Sequence, residues 1–421
     1  MGEGLIMSEH PKDVVVIGGG PAGLAAAAGA QEEGARVLLI ERNEELGGIL
    51  NQCIHDGFGL YSFGEALTGP EFAARYIERV CTGNAEIMLN TLVTSLNEKL
   101  EMVYSRRGER RFVRGRSVVL AMGCRERTRG MIRIPGDRGA GVYTAGTAQY
   151  LINEANIMVG RNVVILGSGD VGLIMARRLT WEGANVIAVL EKLPYHCGLT
   201  RNVKQCLEDY SIPLYLSHTV SRIHGRGRVE AVTVTRVDRD GRSIPGAEFS
   251  LECDTLLCSV GLIPENELSR KAGVVLDART GGAVVGADLM TEIPGLFSCG
   301  NVLHIHDVAD LAAIEGEQAG RNAARYAAGG NARIPSEEMA LVKAGRGVRY
   351  VMPQRAPIRG EGLRCLFRVS EPGADRSITV LAGKEKILEK GGRKVHPAEM
   401  IHVDIPRYRI ADGESLEVRV E

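Results

Sequence analysis

One pattern constrains this chain more than any other, and it occurs twice. Val14-Val15-Val16-Ile17-Gly18-Gly19-Gly20-Pro21-Ala22-Gly23 joins an apolar, strand-like run to an alanine-rich helix, and Val37-Leu38-Leu39-Ile40-Glu41 follows as a second run closed by an acid. About 150 residues later the layout returns. Val163-Val164-Ile165-Leu166-Gly167-Ser168-Gly169-Asp170-Val171-Gly172 leads through a helix to Trp181 and on to Val186-Ile187-Ala188-Val189-Leu190-Glu191. Strand, glycine turn, helix and strand in this order close as a parallel pair with a crossover helix, the unit that holds a dinucleotide by its pyrophosphate. Gly18 permits the turn, Gly20 lets backbone approach the phosphates, and Gly23 lets helix and strand pack closely. Pro21 and Ala22 open the helix, whose positive end faces the phosphate charge. Gly167, Gly169 and Gly172, with Asp170 and Val171, take the same places in the second copy, and Glu41 and Glu191 stand where an acid accepts from a ribose hydroxyl.

Size and charge set the outer limits. A chain of 421 residues with 44% hydrophobic and 24% charged residues is long enough for two or three globular domains. A net charge of −1 gives no sign of nucleic acid or a polybasic membrane contact. Residues 1–11 carry no basic segment followed by an apolar one, and no run approaches a membrane span, so the expectation is a cytoplasmic protein. Nine cysteines form no C-x-x-C and several lie in strand-like runs; they read mostly as buried free thiols in a reducing compartment.

After Glu41, the stretch Arg42-Asn43-Glu44-Glu45-Leu46-Gly47-Gly48 adds paired glycines that would bring backbone near the adenosine and pyrophosphate of a cofactor. From here the sequence resembles the flavoproteins with two dinucleotide-binding domains, the group containing thioredoxin reductases and pyridine nucleotide-disulfide oxidoreductases. The resemblance implies FAD in the first copy, with Arg42 beside Glu41 among its contacts, and a nicotinamide in the second. Residues 49–59 fall where many of those proteins begin the helix beneath the flavin. Cys53 and His55 are therefore catalytic candidates, or a thiol and an imidazole that only pack locally. Residues 71–80 are spaced as an amphipathic helix. Three β-type runs at 100–104, 111–114 and 117–120 end at the small-residue turn Ala121-Met122-Gly123; in the relatives a meander closing on such a turn covers one side of the cofactor, and the resemblance implies Ala121 and Gly123 as contacts. Met122 stands where the relatives usually have threonine.

Cys124-Arg125-Glu126-Arg127 and the segment 141–147 then resemble the crossover of thioredoxin reductases, but no cysteine lies between Tyr143 and Tyr150. With no second sulfur, dithiol exchange by that route is excluded. The Arg-Glu-Arg and Thr-Ala-Gly segments look more like the flavoprotein subunits of multi-subunit dehydrogenases, the group that includes opine oxidase, hydrogen cyanide synthase and dye-linked proline dehydrogenase. Residues 46–60, 121–130 and 165–180 look like the flavoprotein encoded beside bacterial anaerobic glycerol-3-phosphate dehydrogenases.

In the second half, Glu191 favours NADH over NADPH because it would repel a 2′-phosphate, although Lys192 and Arg201 lie nearby. Runs at 229–237 and 249–257 repeat the meander and end at Ser259-Val260-Gly261. Residues 261–266 resemble the turn that re-enters the flavin domain, and 291–301 resemble its last motif, with Asn301 after Gly300 where the relatives usually have an acid. A helix over 308–327 follows. His304, His306 and Asp307 lie at its mouth, as proton donors or substrate contacts or simply as caps, and His306 is the third catalytic candidate. No metal site is expected. Beyond a linker reaching about residue 342, alternating runs at 363–369, 377–381, 386–388, 400–405 and 416–420 read as a small all-β sandwich suited to docking or dimerisation.

The expected fold is α/β with two Rossmann-like dinucleotide-binding domains and a small C-terminal all-β domain. The FAD domain is discontinuous (1–152 and 276–332), the NAD(P) domain is inserted (153–275), and the β-domain covers 340–421. The expected activity is FAD-dependent hydride transfer with NAD(P)H, passing electrons to or from a small-molecule acceptor or a partner subunit, in a homo- or hetero-oligomer. The alternative is a flavoprotein subunit of an amine, hydroxy-acid or glycerol-3-phosphate dehydrogenase whose second domain is scaffold.

Overall fold

The computed structural model describes residues 12–83, 85–329, 338–411 and 413–421. The opening stretch 1–11 and most of the expected linker lie outside these residues. The chain forms two compact units, one running to Cys124 and resuming at Pro264, the other Arg125–Ile263.

In the first unit, strand Lys12–Ile17 pairs in parallel with Val37–Ile40 on one side and with the end of Glu109–Leu120 on the other. Glu86–Met88 and Leu296–Ser298 complete five parallel strands. The second unit repeats this order with Leu214–Leu216, Asn185–Glu191, Asn162–Leu166, Thr255–Cys258 and Val142–Thr144. Along its central strands successive residues serve different cores: Val163 and Ile165 pack on the helix side, Val164 and Leu166 on the side of the antiparallel sheet 218–252. Burial on both faces is why these strands read as unbroken apolar runs.

The runs expected at 111–114 and 117–120 are one strand, Glu109–Leu120. Its first half pairs antiparallel with Glu101–Arg106 in a meander and its second half joins the parallel sheet. Its burial therefore changes from alternating to complete near Ser117, and the period changes with it. Residues 49–59 correct another expectation. They form a single 3-10 turn, Gly48–Leu50, and a folded loop; the helix begins only at Gly69, with Thr68 and Glu71 closing a capping box.

Two helices organise the first unit, Pro21–Glu32 and Ala309–Ala327. They cross at glycine. A Cβ on Gly316 would lie 2.2 Å from the Ala22 carbonyl oxygen, and one on Gly320 would lie 1.9 Å from that of Ala26. The C-terminal strands form a five-stranded and a three-stranded sheet around one core. Strand Val348–Met352 serves two cores at once: Val348 and Val351 fill that of the β-domain, while Tyr350 and Met352 belong to that of the first dinucleotide fold. Met339–Ala344, which precedes it, is a strand where a linker was expected.

Candidate functional site

Each glycine turn is built by backbone contact. A Cβ on Gly18, whose φ is +107°, would lie 2.4 Å from the Ala121 carbonyl oxygen, and one on Gly23 would lie 1.8 Å from that of Gly18. In the second turn a Cβ on Gly167 would lie 2.1 Å from the Ser259 carbonyl oxygen, and one on Gly172 would lie 2.6 Å from the Ser259 side chain. Gly20 differs from these: its Cβ would meet nothing within 4 Å, and across the opening the nearest atom to a Cβ on Gly48 is the Gly20 Cα, 3.1 Å away. Gly47 donates its N–H to the Gly19 carbonyl at 2.9 Å, so the paired glycines form the second wall of this cradle. Gly20 and Gly169 are the N-caps of the two helices and offer no side-chain cap; in the second helix Ser259 Oγ accepts the Gly172 N–H at 3.1 Å. The open turn and the uncapped positive helix end suit a pyrophosphate, and FAD in the first cradle fits the residues present.

The two acids each bond the turn before them and the loop after them. Glu41 accepts the Gly19 N–H at 2.7 Å on one oxygen and the Asn43 N–H at 2.8 Å on the other. Glu191 accepts the Ser168 N–H at 3.0 Å and the Leu193 N–H at 2.9 Å, and also the Ser168 hydroxyl. Each carboxylate thus shapes its own turn while keeping lone pairs for a ribose. Arg42 is exposed beside Glu41. Gly123 sits at φ +72° and accepts from the Glu265 N–H, joining the Ala121 turn to the chain that returns from the second unit. Asp170 is bound within its own unit, accepting from Leu199 N–H and the Asn202 amide, and Val171 packs beside the core of that unit.

Of the catalytic candidates, Cys53 is half-buried with its thiol donating to the Ile49 carbonyl at 3.2 Å. His55 is also half-buried, its Nδ1 2.9 Å from the Asp56 carbonyl and its ring 5.1 Å from that of Phe58. Their loop is held from a distance by Asp310, whose buried carboxylate accepts three N–H bonds at 3.0 Å, from Gly59, Tyr61 and Ser62.

His304, His306 and Asp307 do not cap the helix, which starts after Val308 without a side-chain bond. His304 Nε2 lies 2.9 Å from Glu315 Oε2, and His306 Nε2 lies 3.5 Å from the same oxygen, with the rings 4.2 Å apart. The second Glu315 oxygen accepts the Gly300 N–H at 2.7 Å. Asn301 turns its amide oxygen to the same loop, accepting the His306 N–H at 3.0 Å, and its amide nitrogen lies 3.6 Å from the Cys124 sulfur. Burial works to raise the Glu315 carboxyl, but the imidazoles of His306 and His304 outweigh it and hold the group well below the usual carboxylate range. Burial pushes His304 down, helped by His306 and opposed by Glu315.

Asp307 is taken by the β-domain. Arg368 donates to its carboxylate, to the Ile305 carbonyl at 3.1 Å, to the Tyr350 hydroxyl at 3.1 Å and to the Pro397 and Ala398 carbonyls, while Met400 N–H bonds the other Asp307 oxygen. Sequence reasoning missed Asp310, Glu315 and Arg368. The two acids did leave a signal, since both fall on the small-residue stripe that the helix buries. Arg368 left none, because its partner lies 61 positions away in an unrelated element.

The sequence profile of the family described as pyridine nucleotide-disulphide oxidoreductase matches residues 12–334. An opine oxidase subunit from Agrobacterium tumefaciens (strain Ach5) is 26% identical over 339 residues, covering 75% of this chain and 64% of that protein, a little under two-thirds of its length. Ferredoxin–NADP reductase 1 of Shouchella clausii (strain KSM-K16) is 26% identical over 298 residues, covering 69% and 80%. Among solved structures, thioredoxin reductase of Lactococcus lactis superposes with a TM-score of 0.63 at 21% identity, covering 76% of this chain and 99% of that one, a likeness of fold. Among the described residues no helix is long and apolar enough to cross a membrane.

Proposed function

The chain belongs to the pyridine nucleotide-disulphide oxidoreductase family, and from that premise we propose that it is an FAD-dependent enzyme moving a hydride between NAD(P)H, preferably NADH, and FAD, and exchanging electrons with a second acceptor. The first unit holds the FAD domain together with the C-terminal β-domain, and Arg125–Ile263 holds the nicotinamide domain. The observation that supports this reading is the pair of cradles, each a glycine turn leading into a helix whose N-cap is glycine, with an acid bonded to its own loop, the first turn open at Gly20 and the second faced by Ser259.

Bound flavin and nicotinamide would supply the two-electron chemistry. The chain supplies the rest. Gly20 and Gly48 admit the pyrophosphate, Glu41 takes the first ribose, and Ala121 and Gly300 close the turn. In the second cradle Gly169 admits the phosphates, and the carboxylate of Glu191 repels a 2′-phosphate, which is the basis of the NADH preference. Cys53 and His55 flank the site on a loop anchored through Asp310, within reach of a small-molecule acceptor. With no C-x-x-C anywhere in the chain, the acceptor is a small molecule or another subunit.

Anaerobic titration of the flavin-loaded protein with NADH and with NADPH, followed at the flavin absorbance band, tests the reading. NADH should bleach the band at lower concentration than NADPH. If neither does, hydride transfer is wrong; if both act equally, the preference assigned to Glu191 is wrong.

A second reading is supported by the likeness to a protein whose name makes it one component of opine oxidase. Here the chain is the flavoprotein subunit of an amine, hydroxy-acid or glycerol-3-phosphate dehydrogenase, with the second unit as scaffold. It requires that the chain elute from native extract in a larger complex and that its flavin stay oxidised with both nucleotides.

A further inference from the structure

His304, His306 and Glu315 bring three potential ligand atoms within 4.8 Å of one another in the interior, and their hydrogen bonds do not close. The Asn301 amide oxygen is fixed in orientation, because it accepts the His306 N–H while the amide nitrogen faces the Cys124 sulfur. His306 Nδ1 lies 3.3 Å from that oxygen and must be the N–H that faces it. Nε2 is then aimed at Glu315 Oε2, and this buried nitrogen, like His304 Nδ1, has no hydrogen-bond partner. A lone pair facing a carboxylate oxygen in the interior is repulsive unless a cation lies between them.

At His306 the distance speaks against a shared proton. A proton shared between an imidazolium and a carboxylate draws the two atoms to about 2.7–2.9 Å, and here they stand 3.5 Å apart. Two ligand atoms each about 2.1 Å from one ion are about 3.0 Å apart at a right angle and about 3.4 Å apart at the tetrahedral angle. Glu315 Oε2 lies 3.5 Å from His306 Nε2, a span two ligands of one ion can take, and 2.9 Å from His304 Nε2, a hydrogen-bond length, so an ion would replace the proton of that bond and draw together ligand atoms that now lie within 4.8 Å of one another. The surroundings are those of a metal site as well. Glu315 Oε1 is tied to the Gly300 N–H, His306 Nδ1 to Asn301, and the loop between the histidines and the helix is fixed by Arg368.

We propose that His304, His306 and Glu315 form a binding site for a divalent first-row transition-metal ion, of the kind that two imidazoles and one carboxylate select, zinc or ferrous iron above all. The site is independent of the hydride-transfer reading. A metal here fixes the loop that carries Asn301 and so shapes one wall of the flavin cradle.

The test is metal content. Full-length, flavin-loaded protein is stripped with a chelator, incubated with zinc chloride, freed of excess metal by gel filtration and subjected to elemental analysis. One zinc per chain should remain, with a rise in thermal midpoint over the stripped protein. Cobalt in place of zinc should add absorption at wavelengths longer than the flavin band. Glu315→Gln and His306→Gln should each lose the bound metal and the cobalt absorption, Asn301→Ala should bind zinc about 10- to 100-fold more weakly, and His402→Gln, on an exposed strand position, should keep one equivalent. Circular dichroism of each variant separates loss of metal from loss of fold. Absence of zinc in the reconstituted wild type, or its retention by folded Glu315→Gln or His306→Gln, overturns the proposal. No nicotinamide enters the measurement, so its failure is distinct from failure of the proposed reaction.

Discussion

Two glycines three positions apart separate binding from folding. Gly20 faces open space at the helix end, whereas a Cβ on Gly23 would stand 1.8 Å from the Gly18 carbonyl oxygen. Gly20→Val should therefore fold with a thermal midpoint close to wild type and purify without flavin. Gly23→Ala should lose stability, by about 1–3 kcal/mol or more, since overpacking against backbone cannot relax through a rotamer change. Absorbance at the flavin band and urea denaturation, measured on both variants, check the contrast. These positions were legible in the sequence because a glycine whose φ or clearance is fixed leaves its mark at a set spacing. Glu41 and Glu191 were legible for the same reason. Glu315 was harder to read: its meaning comes from His304 and His306, and nothing in a helical stripe says which acid will meet them.

At the scale of elements, Glu32 joins three helices. It accepts from Arg79 at 2.7 Å and from Arg321 at 2.8 Å, linking the end of the opening helix to Gly69–Thr82 and to the closing helix. These hydrogen bonds, from Arg321 first and then Arg79, hold its carboxyl below the ordinary value of 4.5. A carboxylate with a lowered folded-state pKa contributes stability that is fully present above about 4.5 and is lost as the pH falls through the folded value. The thermal midpoint of Glu32→Gln should lie below wild type at pH 7 and at low ionic strength, and the two should converge as the pH drops toward 3. A gap that stays constant down to that pH would show that the three-way pair carries no linkage. Elements of this kind were easier to read than their joints. The helix around residues 71–80 follows from period alone and that over 308–327 from its place after the last motif of the resemblance, while strand Glu109–Leu120 reads as two pieces because it serves two sheets and changes its burial partway along.

At the scale of the whole molecule, the C-terminal domain is joined to the histidine loop by one buried ion pair. Arg368 and Asp307 are each about one-tenth exposed. Removing one partner leaves a charge without its counterion, at a cost of about 3–5 kcal/mol. Arg368→Met should lower the urea midpoint accordingly, and Asp307→Asn added to it should recover part of the loss. If the double variant is no more stable than Arg368→Met alone, the pair is not what holds the two parts together. The sequence showed the strands of this domain through their alternation, but alternation names the faces of a sheet and not what lies against them.

Strand Val348–Met352, with Tyr350 and Met352 seated in the core of the dinucleotide fold, bears on how such chains can be shortened or diversified. The matching family profile ends at residue 334, which invites treating the remainder as a detachable module. A chain ended there would uncover the surface those two side chains fill, so what looks like trimming an appendage would be excision of an inner wall. Any relative that dispenses with this domain must cover the same surface with something of its own, a partner protein or a second copy.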